Sequence, residues 1–270
     1  MIMCIQTIKQ GTLEYLTAEG ITVPHAFTTR HGGVSTGAQA SLNLALREGD
    51  TMENVEQNLR ILGGALGFEP EKMVLTRQIH SDIVRVVTDA DCSGLCHRDY
   101  PECDALVTNT PGVTLMVFTA DCTPLLFHDP VTGAVGAAHA GWRGTAQDIA
   151  GKTVQAMVEQ FGCDVKNIRA AIGPNLGQCH FETDGDVPHA LIGTFGREAL
   201  PYIKKVGGKF HPDLKAVNAL ALCRRGVDPG NIEISGSCTW CESDRFWSHR
   251  VTKGDRGSQG AVITCREVRK

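Results

Sequence analysis

Short apolar segments separated by turns are the feature of this sequence that most constrains its fold. Segments rich in Val, Ile, Leu, Phe and Thr and bounded by Gly, Pro, Asn or Asp are typical of β-strands. The pattern predicts strands at 74–80, 83–88, 104–109, 113–120, 124–128, 133–140, 167–172, 231–235 and 260–267. The first two are expected to flank a tight turn at Ser81-Asp82.

Apolar residues recur at helical spacing between these segments. Three helices are predicted, with caps at Asp50, Thr145 and Asp213. The residues expected to face inward are Val55, Leu59, Leu62 and Leu66, then Ile149, Thr153, Met157 and Phe161, and then Val217, Leu220 and Cys223. A fourth helix is expected within 186–200. The mixture predicts an α/β (α+β) fold, a single domain of mixed β-sheets with flanking helices over residues 1–270. Residues 1–20 are a candidate peripheral segment.

Composition excludes several classes of protein. Hydrophobic residues make up 42% and charged residues 21% of the chain, and the net charge is −4. These values argue against a strongly basic nucleic-acid binder and against a charge-rich disordered chain. No apolar run approaches the roughly 18 residues of a membrane helix. No secretory signal is readable at the start of the sequence, so the expected compartment is the cytoplasm.

The number of cysteines bears on whether disulfide bonds hold the fold together. Eleven cysteines, an odd number, argue against a disulfide scaffold in a chain with no readable export signal. Most are expected to be small buried hydrophobic residues or thiols without a chemical role.

Two common nucleotide-binding motifs are absent. The sequence contains neither a G-x-x-x-x-G-K-[ST] phosphate loop nor a G-x-G-x-x-G dinucleotide loop.

Each of three segments places a metal-ligand residue at the end of a predicted strand. The segments are QIH at 78–80, TADCTP at 119–124 and AHAGWRG at 138–144. Their ligand residues are His80, Cys122 and His139, a combination that suits a three-ligand zinc site with an open position. The separations of 42 and 17 residues are not zinc-finger spacings. From the residues alone, two core histidines and a buried thiol are the alternative.

Two arginines lie in glycine-rich segments that could hold an anion. Arg143 follows the small residues around His139 and precedes a predicted helix, and Arg30 lies in TTRHGGVS. An arginine near backbone N–H groups is a suitable phosphate or sugar ligand. A plain turn with an exposed arginine is the alternative at both places.

Other candidates carry weaker signals. Cys238 and Cys241 form a C-x-x-C without a second such motif to complete a structural metal site. A polar stretch contains Cys92, Cys96, His97 and Cys103. We interpret it as a loop with incidental thiols, with metal binding as the alternative. Surface positions without partners are expected for His180, His189 and His211. Residues 248–250 are a candidate pocket lining.

The chain resembles the YfiH-type family, whose members are labelled polyphenol oxidase (laccase-domain) proteins or purine nucleoside phosphorylases. The motifs that carry the resemblance are TRHGGVS, QIHS, the 104–130 segment with its ADC, AAHAGWRGT, AIGP, DLKAVNALAL, SCTWC, FWSHR and GDRGSQGAVI. The resemblance covers nearly all of the chain from about residue 20. After AIGP the family usually has a Cys-Tyr-Glu-Val-like segment, whereas residues 178–183 read QCHFET.

The resemblance implies an α/β domain with a metal, usually zinc and with copper as the alternative, held by His80, Cys122 and His139. It also implies phosphorolysis of adenosine, inosine and methylthioadenosine, with deamination of adenosine as a further activity. Arg30 and Arg143 are then the expected phosphate or sugar ligands, and the partners are a nucleoside and phosphate, with no nucleic acid, membrane or protein partner expected. Three alternatives are kept. They are a copper-dependent polyphenol oxidase, a cysteine amidohydrolase that edits cell-wall precursors with Cys122 as nucleophile, and a non-enzymatic metal-binding protein.

Overall fold

Two six-stranded β-sheets form the centre of the computed structural model, which describes residues 5–46, 48–93 and 101–268. The strands of the first sheet, in spatial order, are β1 (Ile5–Gln10), β2 (Leu13–Ala18), β3 (His25–Thr28), β14 (Gln259–Thr264), β7 (Thr114–Thr119) and β4 (Met73–Leu75). Neighbouring strands run antiparallel except β4 and β7, which are parallel.

The second sheet is also mixed. Its strands, in spatial order, are β13 (Ile232–Ile234), β10 (Arg169–Ile172), β8 (Thr123–His128), β9 (Val135–Ala140), β6 (Ala105–Thr108) and β5 (Val84–Val86). The two edge pairs are parallel and the inner pairs antiparallel. A separate hairpin joins β11 (Ile203–Val206) to β12 (Lys209–Pro212).

Helices cover the outer faces of the sheets. They are α1 (Met52–Leu66), α2 (Trp142–Ala146), α3 (Ile149–Phe161), α4 (Asp186–Phe195), α5 (Leu214–Arg224) and α6 (His249–Thr252). Successive side chains of β7 point to opposite faces of the first sheet. Leu115 and Val117 lie in the core between the two sheets, whereas Met116 packs on the other face against the buried side of α1. On the second sheet, Leu125 and Phe127 pack with α3 and α5. The predicted fold class, mixed sheets with flanking helices, is confirmed.

Two helix starts differ from the predictions. The cap of α1 is Thr51, whose side chain accepts a hydrogen bond from the Asn54 N–H, rather than Asp50. Thr145 lies inside the short helix α2, and α3 is capped by Asp148 in a left-handed conformation (φ 61°). The Asp213 cap of α5 is confirmed, as is the fourth helix within 186–200.

The inward faces follow the predictions less closely at the helix ends. Val55, Leu59 and Leu62 are buried in α1, whereas Leu66 is half-buried. In α5 Val217 is buried but Cys223 is exposed, and Ala221 and Leu222 take the inward positions instead.

The predicted turn at Ser81-Asp82 does not join a hairpin. β4 belongs to the first sheet and β5 to the second, so the chain crosses between the sheets at this point. Of the candidate peripheral segment, β1 lies at the edge of the first sheet, whereas β2 is largely buried and paired on both sides. None of the described helices combines the length and the apolar character needed to cross a membrane.

Candidate functional site

Three loops meet where strands of the two sheets end. Because β4 and β7 are parallel neighbours, the segments that follow them leave the first sheet at the same edge. The segment after β7 crosses to the second sheet and places Cys122 directly before β8. Since β8 and β9 are antiparallel, the end of β9 with His139 lies beside the start of β8. The topology therefore brings residues 80, 122 and 139 together.

The donor atoms of His80, Cys122 and His139 all lie within 4.8 Å of one another. His80 Nε2 is 3.8 Å from Cys122 Sγ, and the two imidazole rings meet edge to face with centroids 4.9 Å apart. With Zn–S near 2.3 Å and Zn–N near 2.0 Å, tetrahedral geometry places sulfur and nitrogen ligands roughly 3.6 Å apart. The observed spacing therefore suits a zinc ion held by three protein ligands.

A fully buried carboxylate fixes two of these ligands. Asp104 Oδ1 lies 2.8 Å from His139 Nδ1, and its two oxygens accept hydrogen bonds from the N–H groups of Ile79, His80 and Ser81 at 2.7–3.1 Å. Because His139 Nδ1–H donates to Asp104, its Nε2 lone pair is left for a metal. His80 adopts φ 61°, a left-handed conformation that this set of hydrogen bonds holds in place.

The charges of the cluster favour a thiolate. Burial raises the pKa of the Cys122 thiol, but the imidazoles of His139 and His80 more than offset this and lower that pKa to about 6. Burial lowers the pKa of His139, yet the Cys122 thiolate and the Asp104 carboxylate raise it to about 9. Asp104 itself has a pKa near 2, because hydrogen bonds from His139 and Ser81 outweigh the effect of its burial. The sulfur is thus prepared for metal binding or for nucleophilic chemistry.

Gly141 makes room for the cluster. A Cβ atom at this position would lie 2.6 Å from His80 Cδ2 and 3.3 Å from Cys122 Sγ. The absence of a side chain at position 141 therefore lets the His80 side chain pack against the backbone there.

A cavity of about 650 Å³ opens onto His80, Cys122 and His139. Its wall includes three aromatic side chains, Phe118, Trp142 and Phe181, and three arginines, Arg143, Arg250 and Arg256. Asp121 is the only acidic side chain among the described residues that line it. The cavity combines flat apolar surfaces with positive charge, a combination that suits a planar base and an anion.

Asp121 organises one wall of the cavity. It has φ 92°, its Oδ1 accepts a hydrogen bond from Thr239 Oγ1 at 2.6 Å, and its Oδ2 accepts one from the N–H of Arg250 at 2.7 Å. Its carbonyl accepts a further bond from the N–H of Leu176. The side chain that precedes Cys122 thus links the site to the segments around residues 176, 239 and 250.

The two arginines predicted from the sequence have different environments. Arg143 is exposed at the cavity, stacks on the adjacent Trp142 at 4.2 Å, and its guanidinium has no hydrogen bond or ion pair within the described part of the chain. Arg30 is not among the cavity residues. Its guanidinium donates to the carbonyls of Ser243 and Ala40 at 3.0 and 3.1 Å and lies 4.0 Å from the ring of Trp247. The half-buried Arg30 side chain therefore joins the segment around residue 40 to the segment at 243–247.

Some cavity residues were weakly signalled by the sequence or missed. His249 and Arg250 line the cavity as expected for 248–250, while Ser248 caps α6 instead. Asp104, which supports the cluster behind the cavity lining, was not predicted from the sequence, where its one signal is its position directly before β6. Arg256 was not predicted either; it is buried and donates a hydrogen bond to the carbonyl of Gly257.

Two further groups of cysteines were noted in the sequence. Cys96 and His97 lie outside the described residues, whereas Cys92 is half-buried and Cys103 buried. From the sequence, the Cys238/Cys241 motif was expected to have no partners, and His180 was expected to lie on the surface without a partner. The structure corrects both interpretations. A second donor cluster contains Cys179, His180, Cys238 and Cys241.

Comparisons with known proteins agree with the motifs. Residues 24–266 match the family model described as multi-copper polyphenol oxidoreductase laccase. The chain is 40% identical over 245 residues to a protein named purine nucleoside phosphorylase YlmD from Geobacillus stearothermophilus, a match that covers 89% of each sequence. It is 34% identical over 229 residues to purine nucleoside phosphorylase YfiH of Escherichia coli, covering 84% of this chain and 87% of that protein.

A solved structure has the same fold. The crystal structure of the Bacillus licheniformis hypothetical protein YfiH superposes with a TM-score of 0.91 and 32% sequence identity. The match covers 97% of this chain and 99% of that one. The resemblance to the YfiH-type family is therefore confirmed at the level of sequence and of fold.

Proposed function

The chain belongs to the multi-copper polyphenol oxidoreductase laccase family, and on that premise we propose that it is a zinc-dependent purine nucleoside phosphorylase. The proposed substrates are adenosine, inosine and methylthioadenosine with phosphate. The observation that carries the proposal is the donor cluster of His80, Cys122 and His139, which opens into a cavity with arginines and aromatic rings. Relatives named purine nucleoside phosphorylase support it.

The cavity offers separate places for the two substrates. The exposed guanidinium of Arg143 would bind phosphate through charge-assisted hydrogen bonds, and Arg250 is a second cation in the lining of the same cavity. Aromatic side chains would hold the purine ring by stacking. Holding both reactants in one orientation removes much of the entropic cost of a two-substrate reaction.

In phosphorolysis, a phosphate oxygen forms a bond to C1′ of the ribose while the bond from C1′ to the purine nitrogen breaks. The electron pair of that bond leaves with the purine, which takes up a proton, and the products are the free base and ribose 1-phosphate. The arginines bind the phosphate and offset its charge as it approaches the sugar. A zinc ion at His80, Cys122 and His139 would supply Lewis-acid chemistry to this site. Asp104 keeps His139 Nε2 directed at the cluster.

Adenosine deamination is proposed as a second activity of the same cavity. Water adds at C6 of the purine and ammonia leaves, so the reaction needs no phosphate. The two reactions are separated by incubating the protein with adenosine, with and without phosphate, and resolving the products by chromatography. Adenine and ribose 1-phosphate that form only with phosphate support the phosphorylase. Inosine that forms in both conditions supports the deaminase.

A cysteine amidohydrolase is the second candidate function, favoured by one observation. Asp104, His139 and Cys122 are arranged as an orienting acid, an imidazole and a thiol of lowered pKa. A chelator distinguishes the two functions, because zinc-dependent turnover is lost on metal removal while thiolate chemistry is retained or increased.

Copper is the alternative metal for the three-ligand site, since two imidazoles and a thiolate also suit copper. A laccase-type oxidase needs further histidine-rich copper centres. In the described residues, the other cluster of metal-binding donors contains three cysteines and one histidine. We therefore propose zinc, and metal analysis of the protein purified without added metal tests that choice.

A further inference from the structure

Four donor atoms from two segments that are distant in the sequence meet outside the lining of the cavity. Cys179 and His180 lie in a turn after β10, and Cys238 and Cys241 lie in a turn after β13. All four donors lie within 4.8 Å of one another. Neither segment alone carries a complete metal motif, so the fold assembles the cluster.

The spacing of these donors fits a single tetrahedral ion. His180 Nδ1 is 3.2 Å from Cys179 Sγ, 3.4 Å from Cys241 Sγ and 4.0 Å from Cys238 Sγ, and the sulfurs of Cys179 and Cys241 are 3.8 Å apart. Around a tetrahedral zinc ion, ligand atoms are separated by roughly 3.6 Å for nitrogen and sulfur and roughly 3.8 Å for two sulfurs. The observed distances lie around these values.

The backbone around the cluster holds its sulfurs in place. The N–H of Gly177 donates to Cys238 Sγ at 3.2 Å, an interaction that stabilises a thiolate. A Cβ on Gly177 would lie 3.1 Å from Cys238 Cβ and 3.3 Å from Cys179 Sγ. The N–H of Thr239 bonds the carbonyl of Asn175 at 2.9 Å and joins the two segments. The His180 ring stacks on Trp240 with centroids 5.1 Å apart.

A redox pair explains this arrangement less well. Such a pair needs two sulfurs, whereas here three sulfurs and an imidazole nitrogen converge on one point. The three cysteines are also free thiols in the structure. Three thiolates with one imidazole are a ligand set typical of closed structural zinc sites.

We propose that Cys179, His180, Cys238 and Cys241 form a second, structural zinc site, separate from the His80–Cys122–His139 cluster. It joins the turn at 177–181 to the turn at 238–241. These turns carry Phe181 of the cavity wall and Thr239, whose hydroxyl bonds Asp121. The second ion thus stabilises a wall of the cavity without contacting a substrate.

Zinc content per chain tests the proposal without relying on activity. Protein purified without added metal is expected to contain two zinc ions per chain by elemental analysis. The Cys241→Ser and Cys238→Ser variants are expected to contain one, and Cys122→Ala is expected to lose the other. Cys223→Ser is the matched control, because Cys223 is an exposed thiol on α5, and it is expected to retain both ions.

X-ray absorption at the zinc edge of the unmodified protein covers the case in which a cysteine variant fails to fold. If both sites are occupied, each zinc ion has a mean of two sulfur ligands. If only the His80–Cys122–His139 site is occupied, the zinc ion has one. One zinc per chain with one sulfur ligand overturns the proposal. Mass analysis under non-reducing conditions that finds a disulfide within this cluster also overturns it, and assigns a redox role instead.

Discussion

The carboxylate of Asp104 lies 2.8 Å from Nδ1 of His139, and both side chains are buried. This contact fixes which imidazole nitrogen faces the three-ligand cluster. The same carboxylate accepts the N–H groups of residues 79–81, so a single buried acid positions His139 and the loop that carries His80.

Replacing Asp104 is therefore expected to weaken metal binding. In Asp104→Asn the amide presents a weaker acceptor to His139 and can present a donor to the backbone N–H groups, so both ligands lose their fixed orientation. Zinc affinity should fall roughly 10- to 100-fold, as for other partners that orient metal ligands. Competition with a chromophoric chelator measures it. Asp186→Asn, an exposed carboxylate at the start of α4, is the control and should keep the original affinity. Equal affinity in Asp104→Asn contradicts the positioning role.

Gly141→Ala tests the close approach at the cluster. The added methyl group would lie 2.6 Å from His80 Cδ2, so His80 has to move and the three donor atoms separate. Zinc at this site and turnover of adenosine should both be lost, while the far-ultraviolet circular dichroism stays unchanged. Gly193→Ala is the matched control, because no atom lies within 4 Å of its added Cβ. That control should stabilise α4 by about 0.5–1 kcal/mol.

The two arginines are expected to respond differently to substitution. Arg143→Gln removes a charge from the cavity and should raise the KM for phosphate roughly tenfold or more, the equivalent of about 1.4 kcal/mol, with little change in melting temperature. Arg30→Gln removes contacts to Ser243, Ala40 and Trp247 and should lower the free energy of unfolding by roughly 1–3 kcal/mol with the KM for phosphate nearly unchanged. Steady-state kinetics and thermal melts separate the effects. A phosphate defect in Arg30→Gln without loss of stability would restore the role that its glycine-rich segment suggests.

The thiol of Cys122 should react at low pH once metal is removed. Its pKa is about 6, so in the metal-free protein the thiolate is present above that pH and is lost as the pH falls through it. Alkylation by iodoacetamide, located by peptide mass analysis, should therefore remain fast near neutral pH and slow below about 6. Burial and the carboxylate of Asp228 raise the pKa of the Cys223 thiol, so alkylation of Cys223 should need a more alkaline solution than alkylation of Cys122. A shared pH profile for the two thiols would show that His80 and His139 do not activate Cys122.

The sequence indicated the three-ligand cluster because each ligand follows or ends an apolar strand, and strand ends gather at sheet edges. It could not indicate the role of Asp104, because that role depends on β6 lying beside β9 and on the loop that folds over the carboxylate. The Cys179–His180 and Cys238–Cys241 pairs are about 60 residues apart, and tertiary contacts bring them together.

Residues with similar local sequence also take different roles in the structure. Arg30 and Arg143 have similar glycine-rich surroundings in the sequence, and their packing decides which one faces the cavity. Thr145 and Asp148 are both acceptable helix caps. The chain uses Asp148 because the short helix α2 precedes α3.

Product analysis with adenosine, in the presence and absence of phosphate, tests the proposed function most directly. Unmodified protein should give adenine and ribose 1-phosphate only when phosphate is present. It should give inosine in both conditions, accompanied by hypoxanthine when phosphate is present because inosine is also a proposed substrate. His139→Ala should lose the deaminase activity, because activating water needs the metal. It should lose most of the phosphorolysis but keep a larger residual rate of it, because phosphate is already an anionic nucleophile that needs mainly positioning. Adenine released without phosphate, full deaminase activity in His139→Ala, or no turnover of any nucleoside by the zinc-loaded protein would contradict zinc-dependent phosphorolysis at this site.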